Sequence, residues 1–294
     1  MLIFGSIGLF VRKVDMPSSV LALVRGSIGT LFLLAVGVFM KKRISFTDMR
    51  KNKWLLLFSG AAIGVNWIFL FEAYRYTTIA AATLCYYLAP VFVMLVSPFF
   101  LKEKLSLMKI VCILSSLAGM ALVAGVGISA GGSGNEWKGI LFGILAAVLY
   151  ASVVIMNKKI KEIKAIDMTI SQLGVAALVL LPYVLLTENV TLVSLNGEKI
   201  ILLLFVGIVN TGVAYLLYFS AIKELNGQTM AIFSYIDPVA AIMLSAILLH
   251  EKMTLFQMIG AILILGSTLV SEFVGKREIP LRVEKNEKKS KICL

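Results

Sequence analysis

The sequence predicts an all-α integral membrane protein of ten transmembrane helices, arranged as two inverted five-helix repeats with the first helix truncated. Three observations carry this expectation. The chain is 60% hydrophobic and only 15% charged, too few charges to cover a water-facing surface. Its apolar residues come in blocks of roughly 20, the length that crosses a hydrocarbon core as a helix. Its second half repeats the pattern of its first.

Lipid offers backbone groups no hydrogen-bonding partners, so a spanning segment is a helix or a strand of a closed barrel. Barrel strands alternate apolar and polar residues over about ten positions, and these blocks do not alternate. Ten spans follow, at roughly 1–11, 18–40, 54–76, 78–101, 106–126, 138–156, 166–187, 199–222, 227–249 and 254–274. The first, at eleven residues, rises only about 16 Å and reads as a truncated helix. It lacks the basic start and small-residue cleavage site of a signal peptide.

The net charge of +12 sits in short runs between the apolar blocks and in the C-terminal tail. That is the pattern of loops facing anionic lipid, and no nucleic-acid partner is expected. With the N-terminus inside, the inner segments 41–53, 102–109, 157–165, 222–226 and the tail from Lys276 carry 21 Lys and Arg residues. The outer turns carry six, and Arg25 lies within a span. Both termini are therefore expected in the cytoplasm. Cys85, Cys112 and Cys293 show no spacing of a disulfide or metal site, and no metal or cofactor is expected.

A shift of 148 residues lays the third-to-fifth spans on the eighth-to-tenth. Tyr87 meets Tyr235, Pro90 meets Pro238, Ser97 meets Ser245, and Glu103-Lys104 meets Glu251-Lys252. Shared hydrophobicity matches aliphatic positions, but not Tyr-x-x-Pro followed thirteen residues later by Glu-Lys, so this is a duplication. The expected division is a first repeat at 1–126, a linker at 127–137, a second repeat at 138–275 and a basic tail at 276–294. Five spans per repeat, an odd number, send the second repeat into the bilayer from the opposite side. Inverted repeats place a substrate site near the midplane and allow alternating access. The glycine-rich 125–134 stretch contains G-x-G-x-x-A but follows an apolar helix rather than a strand, so it is no dinucleotide loop.

These motifs resemble those of the drug/metabolite transporter superfamily, in particular its ten-helix EamA-type members. The resemblance runs through Gly5-Ser6, Phe10-Val11-Arg12, Arg25, Tyr87-Leu-Ala-Pro90, Glu103-Lys104-Leu105, Tyr235-Ile-Asp-Pro238 and Glu251-Lys252-Met253. It implies export or exchange of amino acids and other small metabolites. It also implies a central cavity lined by the first, third, fourth, sixth, eighth and ninth helices. Members often carry tryptophan before the Gly-Ser of the first helix, where this chain has Phe4.

Asp237 is the sharpest candidate for function. It falls about 16 Å from either end of the ninth span, at the midplane. An ionisable group there costs at least about 2.5–3.5 kcal/mol and usually faces a cavity or a partner. Its repeat mate is Ala89, so packing of the unit does not require the acid. It would bind an amino or cationic group of the solute or exchange a proton; pairing with a neighbouring helix is the structural alternative. Pro90 and Pro238 are expected to kink their helices and free the carbonyls of Tyr86 and Ser234.

The remaining substrate-binding candidates are Asn66, Trp67, Tyr86, Tyr87, Asn210, Tyr215 and Tyr235, drawn from a set that also holds Tyr74, Thr211 and Tyr218. Aromatic walls with a few polar groups suit an organic solute. Arg25 is expected to snorkel or to pair with Glu72, which could instead pair with Arg75 one turn away. Glu103 and Glu251 read as turn anchors, and His250 as incidental.

The expected function is a secondary transporter exporting or exchanging small organic metabolites by alternating access, with proton coupling open, in a bacterial plasma membrane. The alternative is a non-transporting membrane sensor or scaffold. An enzyme would need clustered His, Asp or Cys within the spans, which one histidine and one midplane acid do not supply. No Walker-type loop would power the protein with ATP. The expected partners are a small-molecule solute and membrane lipid, with a homodimer left open.

Overall fold

The computed structural model describes residues 1–7, 10, 14, 16–39, 45–77, 79–103, 106–123, 136–188, 196–248, 255–256, 258–267 and 269–270. Among these the ordered elements are all helices. The 125–134 stretch, His250, Glu251, Lys252 and the 276–294 tail lie outside the described residues.

The chain opens with α1 (Leu2–Gly5), followed by α2 (Ser18–Phe39) on the second span. A short α3 (Phe46–Lys51) sits in the predicted inner loop. Ser45 caps it, its Oγ accepting from the Asp48 N–H at 3.4 Å and donating to the Asp48 carboxylate at 2.6 Å. The third span is α4 (Lys53–Tyr76), and the fourth divides into α5 (Ile79–Tyr86) and α6 (Ala89–Phe100). Then come α7 (Leu107–Val123), α8 (Glu136–Lys159) and α9 (Ala165–Thr187). The eighth span joins α10 (Gly197–Phe205), a π-helical stretch (Val206–Val213) and α11 (Ala214–Glu224). The ninth divides into α12 (Gly227–Phe233) and α13 (Ile236–Leu248), and α14 (Met258–Ser267) lies on the tenth.

Among the described residues, five helices are long and apolar enough to cross a membrane: Ser18–Phe39, Lys53–Tyr76, Trp137–Lys159, Ala165–Thr187 and Gly197–Glu224. Large apolar side chains face outward along the bundle, with Phe39 87% and Leu186 86% exposed. Lipid is the solvent such a surface requires.

Small residues set the helix crossings, as expected where lipid removes the hydrophobic force between helices. Gly60 and Gly64 face α9; a Cβ on Gly60 would lie 2.7 Å from the Val175 Cβ, and one on Gly64 2.9 Å from the Ala176 carbonyl oxygen. The other half repeats the device. A Cβ on Gly29 would lie 3.1 Å from both the Gly207 carbonyl oxygen and the Gly212 nitrogen. Gly64 and Gly212 stand in the 148-residue register. Beside the first crossing, Gln172 donates to Ser59 and to Asn157, each at 2.5 Å, joining three helices through a buried polar group.

The prolines act differently from the expected mid-helix kinks. Pro90 and Pro238 stand one residue after Ala89 and Asp237, at the start of α6 and α13, where a missing N–H costs little. The kink is therefore a full helix break, at matching places in both halves. The Ser234 carbonyl accepts from the Asp237 N–H at 3.3 Å, so the turn itself satisfies it.

Candidate functional site

The two helix breaks meet. Tyr87, in the break of the fourth span, and Tyr235, in that of the ninth, stack with ring centroids 6.0 Å apart and planes at 26°. They are repeat mates, yet their hydroxyls have different partners. The Tyr235 Oη donates to the Tyr87 carbonyl at 2.8 Å, while the Tyr87 Oη donates to the Asp237 Oδ2 at 3.2 Å. The difference arises because Asp237 stands where the first repeat has Ala89. Asp237 lies in the first turn of α13 and is half-buried.

A cavity of about 100 Å³ opens beside this carboxylate. Its walls are Met1, Phe4, Tyr86, Tyr87, Ala89, Pro90, Tyr150, Tyr215, Tyr218, Ser234 and Asp237. Edge contacts lock the rings together: Tyr86 on Tyr150 at 5.7 Å, Phe4 on Tyr215 at 5.2 Å and Phe4 on Tyr218 at 5.9 Å. The Tyr150 and Tyr218 hydroxyls hydrogen-bond to each other. A second cavity, about 230 Å³, shares Met1, Phe4 and Tyr218 and extends along α11 to Leu225.

The sequence candidates divide between the cavity wall and the packing behind it. Asp237, Tyr86, Tyr87, Tyr215 and Pro90 line the cavity. Tyr235 is fully buried behind Tyr87, and Trp67 packs edge-on behind Tyr215 at 6.1 Å. Pro238 is buried beside Asp237. Asn66 and Asn210 bond to backbone instead of facing the cavity. Asn66 donates to the Ala146 carbonyl at 2.5 Å; Asn210 donates to the Ile3 carbonyl at 2.5 Å and to the Ser6 Oγ at 2.9 Å. Each thus ties its helix to a neighbour, Asn66 through one amide bond and Asn210 through two. The cavity wall draws on the first, fourth, sixth, eighth and ninth spans; the third contributes Trp67 one layer behind.

Arg25 does not meet Glu72. Its guanidinium lies over the Trp67 ring, 4.7 Å from the centroid. Glu72 instead accepts from Arg75 at 3.2 Å, the local pair its spacing allows, and from the Tyr183 hydroxyl. Glu103 does more than anchor its own turn. Its carboxylate accepts from the Gly227 and Gln228 N–H groups at 2.8 and 3.2 Å, capping α12 in the other half.

Tyr150 lines the cavity without being a sequence candidate, as do Met1, Phe4, Ala89 and Ser234. A signal for it exists at an offset of 146, where Tyr150-Ala-Ser aligns with Phe4-Gly-Ser and Lys158-Lys159 with Arg12-Lys13. Tyr150 and Phe4 are thus matching positions of the sixth and first spans, and both face the cavity.

A helical membrane bundle with a solute-sized, acid-bearing chamber between duplicated halves defines the class of small-molecule membrane transporters. The profile of the EamA-like transporter family matches residues 1–125 and again residues 137–273, so the chain belongs to that family, one of transporters and not of enzymes. The double match also establishes the duplication. Among relatives, an uncharacterized transporter, YxxF, of Bacillus subtilis (strain 168) is 31% identical over 268 residues, covering 90% of this chain and 84% of its own. An uncharacterized transporter of Clostridium kluyveri is 28% identical, covering 87% and 83%. Protein PecM of Dickeya dadantii (strain 3937) is 26% identical, covering 76% and 74%. A crystal structure only 19% identical matches 94% of this chain and 95% of its own with a TM-score of 0.83, which establishes a shared fold.

Proposed function

We propose that this protein is a secondary transporter that moves a small organic solute by alternating access, with Asp237 as the group that binds the solute or exchanges a proton. One observation carries the reading: Asp237 enters an aromatic chamber built from both halves, at the place where the two repeats differ. A carboxylate at membrane depth with a cavity beside it marks a transport path.

In this reading the repeats are 1–126 and 138–275, joined by 127–137, and they enter the bilayer in opposite senses. Both termini face the cytoplasm, as 21 inner against six outer basic residues argue. The broken fourth and ninth helices supply the hinge, since a break lets each half-helix tilt separately. The larger cavity leads from the site toward Leu225, at the predicted inner end of the eighth span.

The test is counterflow of radiolabelled metabolites in proteoliposomes, with and without a pH gradient. Saturable flux whose apparent affinity Asp237→Asn weakens roughly tenfold or more supports the proposal. Lack of flux across a broad panel that includes amines and amino acids overturns it and favours a sensor or scaffold.

A further inference from the structure

We propose that Tyr87 and Tyr235 exchange hydrogen bonds as the protein turns from one side of the membrane to the other, and that this exchange frees Asp237. The inference rests on the transporter reading and names the residues that link its site to the turn.

The two tyrosines are repeat mates, stacked where the broken fourth and ninth spans meet. The Tyr235 Oη donates to the Tyr87 carbonyl at 2.8 Å, so the break of the ninth span grips that of the fourth. Instead of the reciprocal bond to the Tyr235 carbonyl, the Tyr87 Oη donates to the Asp237 Oδ2 at 3.2 Å.

The entrances to these two spans differ in the same sense. Leu225 and Thr77 stand in the 148-residue register, each two residues before its broken helix begins. Leu225 borders the larger cavity. Thr77 is packed onto the sixth span, where a Cβ on Gly139 would lie 2.6 Å from its Cγ2; one on Gly143 would lie 2.8 Å from the Cys85 Cβ. The Leu225 end is open and the Thr77 end is closed.

Inverted repeats are related by an axis in the membrane plane, so exchanging the conformations of the two halves turns the cavity to the other side. The Thr77 end then opens, and the Tyr87 Oη donates to the Tyr235 carbonyl. A phenol has one proton to donate, so Tyr87 leaves Asp237. Tyr235 gains no acid in return, because the mate of Asp237 is Ala89. The carboxylate is thus held in one state and released in the other.

The test uses full-length protein in detergent with Cys85, Cys112 and Cys293 replaced by alanine. It carries Asp237→Ala, which makes positions 89 and 237 alike, and either Leu225→Cys or Thr77→Cys as reporter. The ratio of maleimide labelling rates, Leu225→Cys over Thr77→Cys, reports the balance of the two states. Tyr235→Phe loses a bond made only in the present state and should lower the ratio roughly 2- to 10-fold, the worth of one hydrogen bond. Tyr87→Phe loses a bond made only in the opposite state and should raise it by a similar factor. A variant that merely loosens the bundle raises both rates and leaves the ratio unchanged. Should the Asp237→Ala background fail to fold, Tyr235→Phe with Asp237 intact decides, and should still lower the ratio.

An unchanged ratio, shifts in the same direction, or a Thr77→Cys that stays unlabelled in every variant overturns the inference. If Asp237-dependent counterflow accompanies that result, the transporter reading stands and only the exchange falls. If no solute flows either, both fall.

Discussion

Replacing Asp237 by Asn removes one charge and little else. The amide has the size of the carboxylate, and its oxygen can still accept the Tyr87 hydroxyl now 3.2 Å from Oδ2. The turn that carries it is held by the backbone bond from the Asp237 N–H to the Ser234 carbonyl, which the substitution does not touch. The fold should therefore survive. What disappears is the charge-assisted bond to an ammonium, worth about 1.5–3 kcal/mol net where a neutral bond gives about 1 kcal/mol. At about 1.4 kcal/mol per decade, the full loss corresponds to roughly a 10- to 150-fold weaker apparent affinity. Proteoliposome counterflow measures it, with the thermal midpoint in detergent as the control for folding. Unchanged flux and affinity in a variant that melts like the parent would refute the assignment of Asp237 to the transport path.

Four further outcomes follow from the same geometry. Tyr87→Phe removes the hydroxyl that orients Asp237 and should weaken solute affinity by roughly 2- to 10-fold, the worth of one ordinary hydrogen bond, read in the same counterflow assay. Asn66→Leu breaks the 2.5 Å bond to the Ala146 carbonyl and should destabilise the bundle by about 1–3 kcal/mol; the thermal midpoint should fall while solute affinity holds, and the opposite pattern would place Asn66 in the site. Gly64→Val would drive a branched side chain into the Ala176 carbonyl and Val179, costing about 1–3 kcal/mol or more, seen as a lower melting point in detergent. Glu103→Ala leaves the Gly227 and Gln228 N–H groups without their acceptor, and should lower the melting point while leaving affinity at the Asp237 cavity unchanged.

The sequence by itself determined the class, the duplication and the central acid. Hydrophobic blocks near the length of a bilayer leave helices as the only way to satisfy the backbone, and that argument needs no coordinates. The 148-residue register and the Asp237-for-Ala89 asymmetry are likewise readable one residue at a time. The helix breaks were half legible: Pro90 and Pro238 announced an interruption, but whether a proline kinks a helix or starts a new one depends on where the preceding turn closes.

Only the tertiary structure decided which polar and aromatic residues face the cavity. Asn66 and Tyr87 lie at similar depths in apolar spans, yet one bonds to the Ala146 carbonyl and the other to Asp237. Tyr150 joins the cavity, while Trp67 and Tyr235 pack one layer behind it. Depth is a property of position along a helix and can be counted from the sequence. Which way a side chain faces depends on how neighbouring helices rotate and how closely they approach, and close approach here rests on contacts such as Gly64 against Ala176 and Gly29 against Gly207, which involve residues far apart in the chain.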